Sequence, residues 1–393
     1  MTTKRPKRRV VKNRTLRVAH VVPATPHACG MYETARELVA AERALGIQAH
    51  IVDPRPYRAQ VEGTRQKGSP MDATCPKCSN EFKIVPNGPP VAYRPADWEE
   101  DRGVSIAPVD WAVNHSDVIV SHAGLSPAFA KHAGPWIHVA HGRPNSSYRI
   151  ERMGQTPIYK TYREMRNDAR WKAMVTLWPS YKPYLELLFP EVRVCDSFVD
   201  LDHWAPGGSP IHDWGEDAGT PNAIITDVWR ADKDPFHVLN AFRIFADRTP
   251  GAKVHVIGID GNDRGRSTIL DALRDRGCLG TVSKHVPDLR PYYRAADLLL
   301  TPHTIATRTV REAMASGLMV VGGRSNQHTP FGADTEDLQV YSSVIGEAWA
   351  CVQRDRTGSI KARREYAEEH FNAERTARQF VSLFEEFTGR NVA

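Results

Sequence analysis

A polar loop that leads from a buried strand into a helix carries the side chains best suited to chemistry in this sequence. The helix is predicted over 309–316. Backbone N–H groups at its start, together with Thr307, Arg308 and Thr309, can cradle a pyrophosphate, because unpaired donors and the helix dipole both favour an anion. Glu312, one turn inside the helix, can accept two hydrogen bonds from a ribose diol. The segment therefore predicts a nucleotide-binding site.

Two cysteines form a second chemical feature. Cys75 and Cys78 have the spacing of one zinc knuckle, in which two thiolates bind one tetrahedral ion. A structural zinc needs two further ligands, and the sequence holds no second pair with this spacing. Two interpretations stay open: a structural zinc completed by single Cys or His residues or by a second subunit, or a reduced pair in a flexible insertion.

The elements that position the polar loop belong to a repeated α/β pattern. In the first half, an apolar run over 16–22 precedes a helical pattern over 31–45, which Gly46 ends, and a strand over 49–53 follows. A strand, a helix and a second strand begin a parallel sheet. Further strands of this half are predicted over 117–121, 136–140 and 173–178.

The second half repeats the alternation. Its strands are predicted over 223–226, 254–257, 296–301 and 319–322, and its helices over 236–245, 268–276, 289–295, 309–316 and most of 360–388. Such alternation requires right-handed crossovers and a parallel sheet. The fold class is therefore α/β, with two doubly wound, Rossmann-like domains that face a cleft, where open α/β sheets bind ligands.

Length and composition set the expected boundaries. A chain of 393 residues suits two domains, and a stretch rich in Gly, Pro and Asp separates the two α/β patterns. The expected parts are a basic arm over 1–15, an N-terminal domain over 16–203 with an insertion over about 54–110, a linker over 204–222, a C-terminal domain over 223–370, and a helix over 371–393 that could pack back on the N-terminal domain.

Composition also excludes several classes of protein. Hydrophobic residues make up 41% and charged residues 25% of the chain, and no run approaches the ~18 apolar residues needed to cross a bilayer. The first residues lack the apolar stretch of a secretory signal, and six cysteines over this length do not form a dense disulfide framework. We expect a soluble, cytoplasmic protein.

The net charge of +6 resides in the basic arm. Eight Lys or Arg within residues 1–17 exceed that total, so the rest of the chain is nearly neutral. Such a block is typical of a solvated arm, and the alternative is an arm that docks on phosphates or on an anionic surface.

The polar loop and its flanking elements carry a longer signature. Its members are, in order, Ala296-Asp297, Pro302, Glu312-Ala313-Met314-Ala315, Ser316-Gly317 and Val320-Val321. Because these residues occur in this order, the sequence resembles the GT-B-fold, retaining glycosyltransferases of the large glycogen-synthase-like and mannosyltransferase-like group. That group is similar to glycosyltransferase family four. The chain departs from the signature at Thr304, where these enzymes carry a Glu that contacts the donor sugar. The resemblance extends over about residues 16–53 and 110–388.

The resemblance implies roles for further residues of the second half. Arg230 and Lys233 match the Arg and Lys that hold the donor diphosphate, and they would neutralise the leaving group when no metal is bound. Gly258 ends a strand of the family pattern, and Val286 stands where the nucleotide base is usually held by backbone contacts. Thr304 belongs to the same donor-binding set.

The first half contributes fewer implied residues. Gly30 takes the place of the family's Gly-rich loop, where a residue without a side chain lets the backbone approach a ligand closely. His141, followed by Gly142, resembles the histidine that lies near the donor sugar, and together with Arg230 and Lys233 it makes up the expected catalytic set.

The implied activity is sugar transfer from a nucleotide-diphosphate sugar to a hydroxyl, with retention at the anomeric carbon and without a catalytic metal. Two alternatives stay open: a nucleotide-sugar 2-epimerase of the same fold, and a non-catalytic protein that binds a nucleotide sugar or a nucleic acid. The acceptor could be a glycan, a lipid, a protein or a modified nucleic acid. The sequence does not distinguish these acceptors.

Overall fold

The chain divides into two compact units. The computed structural model describes residues 15–22, 30–52, 71–74, 81–84, 99–122, 129–141, 166–211, 214, 219–226, 235–259, 264–283, 286 and 288–391. The first unit consists of Met1–Asp196 together with Glu374–Ala393, and the second of Ser197–Ala373. Among the described residues, no helix is both long and apolar enough to cross a membrane.

The first unit is built on an eight-stranded sheet. The described strands of this unit, eight of them in this sheet, are β1 Arg17–Val21, β2 Gln48–Val52, β3 Met71–Thr74, β4 Glu81–Ile84, β5 Glu99–Asp101, β6 Val104–Ile106, β7 Val118–Ser121, β8 Trp136–Ala140, β9 Trp171–Thr176 and β10 Val192–Val194. Its first helices are α1 Gly30–Ala44, α2 Val109–His115 and α3 Lys182–Glu186. The sheet order is β10-β9-β8-β7-β1-β2-β6-β5, in which β5 runs antiparallel to β6, and β3 pairs with β4 in a separate two-stranded sheet.

The central strands of this sheet are mainly apolar and are buried along their whole length. All residues of β7 and β8 are buried, as expected for parallel strands covered on both faces. Helix α1 crosses from β1 to β2 and ends at Ala44, just before Gly46, whose φ of 84° no other residue type adopts as easily. The N–H of Gly46 donates to Arg43 O and that of Ile47 to Glu42 O, which satisfies the last carbonyls of the helix.

The second unit is a six-stranded parallel sheet with helices on both faces. Its strands are β11 Asn222–Ile225, β12 Lys253–Ile257, β13 Leu279–Ser283, β14 Leu298–Leu300, β15 Met319–Gly323 and β16 Phe331–Ala333, in the order β13-β12-β11-β14-β15-β16. Its helices are α4 Phe236–Ala246, α5 Arg264–Asp275, α6 Arg290–Ala295, α7 Arg308–Ala315, α8 Leu338–Arg354 and α9 Arg356–His370. The last helix, α10 Ala373–Thr388, lies almost wholly in the part assigned to the first unit.

Side chains of β14 show how the second sheet is covered. Leu298 and Leu300 pack on one face, with apolar residues of α4, α5 and α8. Leu299 packs on the other face, with residues of α6, α7 and α9. A fully buried Leu contributes roughly 2 kcal/mol of hydrophobic free energy. Because such residues lie on both faces of the sheet, helices must cover both faces. The unit is therefore doubly wound.

Helix α10 is tied to the first unit by polar contacts. Thr376 Oγ1 donates to Asp196 O over 3.1 Å, and Gln379 Oε1 accepts from Asp196 N over 2.8 Å. Beyond the helix, Arg390 Nη1 lies 2.8 Å from Asp117 Oδ1. The chain thus enters the second unit after Asp196 and returns to the first.

The stretch predicted as a linker, 204–222, contributes to the core of the second unit. Trp204 and Trp214 are both buried in the same cluster as Tyr293. The ring of Trp204 lies 5.6 Å from that of Tyr293, and Trp214 stacks on His255 with ring centroids 3.4 Å apart. Of the predicted insertion over about 54–110, the described residues 104–106 extend the first sheet beside β2.

Candidate functional site

The polar loop of the second unit runs from the end of β14 to the start of α7. Thr307 occupies the N-cap position of α7, but its side chain does not cap the helix. Its hydroxyl instead lies 3.0 Å from that of Thr309. The first turn of an α-helix leaves N–H groups without intrahelical partners, so two hydroxyls beside them add donors where an anion is favoured.

Arg308 and Glu312 are coupled to each other. Arg308 Nε lies 2.5 Å from Glu312 Oε1, and the two side chains are only 14% and 6% exposed. The sequence assigned Arg308 to phosphate and Glu312 to ribose as separate roles. In the structure each holds the other in place one turn apart, so a ligand would meet them as one preformed pair.

The loop before α7 is held from behind by Asn326. Asn326 Nδ2 donates to His303 O over 3.2 Å and to Ile305 O over 3.3 Å, and the residue is 4% exposed. Gly323 N donates to His303 O as well, over 2.9 Å. These bonds fix the backbone of the loop without using its side chains. Sequence reasoning missed Asn326 because no local pattern marks a residue that bonds across 21 to 23 positions.

Two glycines let the loop approach β15. A Cβ at Gly323 would lie 2.6 Å from Pro302 O and 3.0 Å from Thr304 Cγ2. A Cβ at Gly322 would lie 3.3 Å from His303 O. Any larger residue at position 323 would push the loop away. The Gly-Gly pair at the end of a predicted strand was the available sequence signal for this close approach.

Tyr341 of α8 ties the start of the loop, at the end of β14, to the neighbouring strand β15. Its hydroxyl lies 3.0 Å from Thr301 O and 2.9 Å from Val321 O, and the residue is fully buried. Arg311, 2% exposed, donates from Nη1 to Ala306 O over 3.1 Å. The loop is thus anchored from β15, from α8 and from α7 itself.

Asp297 of the signature has a structural role. Its Oδ2 accepts a hydrogen bond from Asn222 N over 2.9 Å, and its Oδ1 pairs with the Arg356 guanidinium. Burial raises the pKa of this carboxyl, although Asn222 and Arg356 act in the opposite direction. The side chain, 2% exposed, joins β14 to β11 and to α9.

The other residues predicted to bind the donor differ in what they can offer. Gly258 follows β12 with a φ of 107° and donates its N–H to Ser283 O over 2.8 Å. The side chain of Val286 is buried in the same apolar cluster as Trp214, so only its backbone could meet a ligand. Thr304 is partly exposed in the polar loop.

The first unit carries Gly30 and His141. Gly30 begins α1, and its carbonyl accepts a hydrogen bond from Thr34 Oγ1 over 2.7 Å. His141 directly follows β8 and is partly exposed. Its Nε2 lies 2.8 Å from Nδ1 of the buried His122, which sequence reasoning did not single out. Histidines at the ends of two neighbouring parallel strands were the signal that could have found this pair.

Four predicted residues lie outside the described part of the chain. These are Arg230 and Lys233 of the expected catalytic set and the cysteine pair Cys75 and Cys78. Among the residues that are described, no group of three or more His, Cys, Asp or Glu could hold a metal ion. The described cysteines, Cys195, Cys278 and Cys351, are free thiols.

Comparison with known proteins identifies the architecture. No family model and no curated protein matches the chain. It is similar to the structure of a glycosyltransferase from Rickettsia africae ESF-5, with a TM-score of 0.62 and 11% identity over 96% of this chain and 100% of that one. Sucrose-phosphate synthase from Thermosynechococcus elongatus gives a TM-score of 0.62 and 15% identity over 96% and 100%.

A third similar structure contains a nucleotide. HepE from Anabaena, solved in complex with UDP and glucose, gives a TM-score of 0.59 and 11% identity over 94% of this chain and 99% of that one. Identities this low establish the fold alone. Two Rossmann-like α/β units, each on a parallel sheet, confirm the predicted fold class, and the chain has the GT-B fold of these glycosyltransferase structures.

Proposed function

We propose that the chain is a retaining glycosyltransferase of the glycogen-synthase-like and mannosyltransferase-like group, which is family-four-like. It moves a sugar from a nucleotide-diphosphate donor to a hydroxyl acceptor. The observation that carries the proposal is the buried pair of Arg308 and Glu312 at the start of α7, beside the paired hydroxyls of Thr307 and Thr309. The GT-B fold supports it, since the similar structures are those of glycosyltransferases.

The donor would be held mainly by the second unit. The start of α7, with Arg308 and Thr309, takes the diphosphate, and Glu312 takes the ribose hydroxyls. Because Arg308 already holds Glu312, the carboxylate needs little reordering when a nucleotide binds. Structures of HepE and of the pneumococcal transferase GtfA contain UDP, so UDP-sugars are the first donors to test.

The proposed reaction needs charge stabilisation more than a nucleophilic side chain. The bond between the anomeric carbon and the diphosphate oxygen breaks, and the acceptor oxygen bonds to the same face of that carbon. The acceptor proton passes to the departing phosphate oxygen. Arg230, Lys233 and the start of α7 would stabilise the negative charge on the diphosphate, without a catalytic metal. His141 is the proposed catalytic residue of the first unit.

Three activities separate the proposal from its alternatives. A glycosyltransferase consumes the donor faster when a suitable acceptor is present, a 2-epimerase converts the donor without an acceptor, and a binding protein does neither. The acceptor panel should include a glycan, a lipid, a protein and a modified nucleic acid. For a nucleic acid, transfer should fall steeply with salt and on deletion of residues 1–15.

A thermal-shift screen with UDP-, GDP-, ADP- and TDP-sugars is the direct test. We expect one nucleotide class to raise the melting temperature, and Glu312→Ala and Arg230→Ala to abolish that shift. A matched control is Glu368→Ala, because Glu368 forms an i,i+4 pair with Arg364 on α9 and its side chain is 51% exposed. Stabilisation that survives in both donor-site variants would refute the site.

A further inference from the structure

A row of four titratable side chains crosses three neighbouring strands of the first unit. Glu42 Oε2, on α1, lies 2.8 Å from His20 Nε2, on β1. The other ring nitrogen of His20, Nδ1, lies 3.0 Å from Nε2 of His122, which follows β7. His122 Nδ1 then lies 2.8 Å from Nε2 of His141, which follows β8. We call these four residues the histidine row.

The histidine row leads from the core to the surface. Glu42 and His20 are fully buried, His122 is 2% exposed, and His141 is partly exposed. The side chains extend in a line and do not converge on a point. Accordingly, within the described ranges no set of these groups could hold a metal ion. The row is therefore a chain of hydrogen bonds with one buried end and one accessible end.

The chemistry of imidazole makes all bonds in the row point the same way. A neutral ring has one nitrogen that donates and one that accepts. If His20 Nδ1 donates to His122, then His122 must donate to His141, and the hydrogen of His141 stands on Nδ1. If the bonds point inward, the hydrogen of His141 stands on Nε2 and its Nδ1 carries a lone pair. The buried end decides between these two states.

At the buried end, Glu42 favours the outward direction. Its Oε1 has no hydrogen-bond partner among the described residues, and the side chain is fully buried. A buried carboxylate with one oxygen unpartnered is strongly unfavourable, which favours the neutral acid, with Oε2 donating to His20 Nε2. The hydrogen of the His20 ring then stands on Nδ1, which donates it to His122.

The neighbouring bases do not compete for this proton. Burial lowers the pKa of His122 well below its ordinary value. Burial also lowers the pKa of His138 to about 4, and the pKa of His50 to about 4 with help from Arg43. These rings are therefore neutral near neutral pH and do not take the hydrogen of Glu42.

We propose that Glu42, His20 and His122 are positioning residues that keep the hydrogen of His141 on Nδ1, so that this ring donates a hydrogen bond to a ligand oxygen. The identity of that oxygen, on the transferred sugar, rests on the proposed function; the position of the hydrogen does not. When the row loses its proton, the hydrogen on His141 Nδ1 departs and one hydrogen moves outward across each of the three bonds of the row. His141 then presents a lone pair on Nδ1, and Glu42 becomes a carboxylate.

The full chain labelled with ¹⁵N-histidine allows a direct test by NMR. At about pH 6, below the ordinary histidine pKa of ~6.5, we expect the His141 ring to be protonated on Nδ1 and bare on Nε2. The His141→Asn spectrum identifies its signals. A ring protonated on Nε2 would overturn the proposal. As the pH is raised, the ring ¹⁵N signals of His20, His122 and His141 should change over the same pH range. Titration of His141 over a different range would also overturn the proposal.

Variants at position 42 test action at a distance. Glu42→Met removes the group that shares the proton, so we expect His141 to become a mixture of both tautomers and donor affinity to fall about fivefold. Glu37→Met, at another buried glutamate of α1 that pairs with Arg36, should leave the His141 spectrum unchanged. A single unchanged tautomer in Glu42→Met would contradict the proposal. If circular dichroism shows that this variant does not fold, the wild-type spectrum and its titration decide.

Failure of this inference and failure of the proposed function give different results. Hydrogen on Nδ1 of His141 in a protein that binds no nucleotide sugar would refute the proposed function and leave the histidine row in place. Sugar transfer by a protein whose His141 is protonated on Nε2 would refute the row alone.

Discussion

The two units fix their candidate site residues by different means. In the first unit, His141 is held through a row of buried titratable side chains that ends at Glu42. In the second unit, the polar loop is held through its backbone, by Asn326 and by the hydroxyl of Tyr341. The first arrangement depends on which nitrogens of the histidine rings carry hydrogen, and the second depends on close packing. The two should therefore fail under different changes.

Of the changes considered, a lower pH should produce the largest difference in stability between the two units. Burial lowers the pKa of four described histidines in the first unit, namely His50, His122, His132 and His138, and of two in the second, namely His255 and His328. For each, the folded pKa lies below the unfolded value of ~6.5, so the unfolded chain binds the proton first. Their stabilisation is complete above about pH 6.5 and is lost as the pH falls toward 4.

Between about pH 7 and pH 5 we therefore expect a larger loss of stability in the first unit, which holds four of these histidines, than in the second, which holds two. Hydrogen exchange of β7 and β8 should accelerate more than that of β14 and β15, after correction for the intrinsic effect of pH. The same comparison between about pH 7 and pH 8 serves as the control and should show no difference. If hydrogen exchange accelerates more in the second unit than in the first at low pH, this expectation is contradicted.

A methyl group at Gly323 should damage only the second unit. Its Cβ would lie 2.6 Å from Pro302 O, so the loop must move. We expect Gly323→Ala to lower the free energy of unfolding by about 2 kcal/mol and to weaken nucleotide binding, measured by urea denaturation and calorimetry. Gly207→Ala is the control, since a Cβ there meets nothing within 4 Å. Equal stability of the two variants would show that the close approach is unimportant.

The smallest effect is expected for the hydroxyl of Tyr341. Tyr341→Phe keeps the packing and removes one donor shared by Thr301 O and Val321 O. The expected loss of stability is about 1 kcal/mol, the usual net value of one hydrogen bond. Tyr184→Phe, at a site that is 61% exposed, should change nothing. If the two substitutions have the same effect on urea denaturation, α8 does not fasten the strand ends as described.

The sequence predicts the repeated elements well, because each is marked by local chemistry. Helix α1 ends at Ala44, within one residue of its predicted end before Gly46, and α7 begins within one residue of its predicted start. Both depend on local signals: a glycine that adopts positive φ, and a polar loop before a periodic helix. The buried runs of β8 and β14 are likewise local patterns.

Elements without a strong local signal were missed. The edge strand β13 has no fully buried residue, and the edge strand β16 has only three residues. Neither produces a long apolar run. Helix α8 was not predicted, although its residue Tyr341 fastens the polar loop. Contacts of this kind join residues distant in sequence, so the loop itself carries no trace of them.

The same limit applies to the two sites. The sequence identified Arg308 and Glu312 but not their ion pair, because side-chain pairing at this spacing depends on rotamers and burial. It singled out His141 but not Glu42 or His122, since 102 residues separate the first two rings of the row, His20 and His122. The order of the strands in the first sheet brings the rings of His20, His122 and His141 together near the carboxyl ends of neighbouring strands.

Calorimetric titration of the Glu312→Gln variant tests the central claim most directly. Wild-type protein, Glu312→Gln and the control Glu368→Gln would each be titrated with UDP, GDP, ADP and TDP. We predict that the wild type and Glu368→Gln bind one of these nucleotides equally well, and that Glu312→Gln binds it at least about tenfold more weakly, because a charge-assisted hydrogen bond is lost. Wild-type protein that binds none of them, or a Glu312→Gln variant that binds as tightly as wild type, would contradict the account.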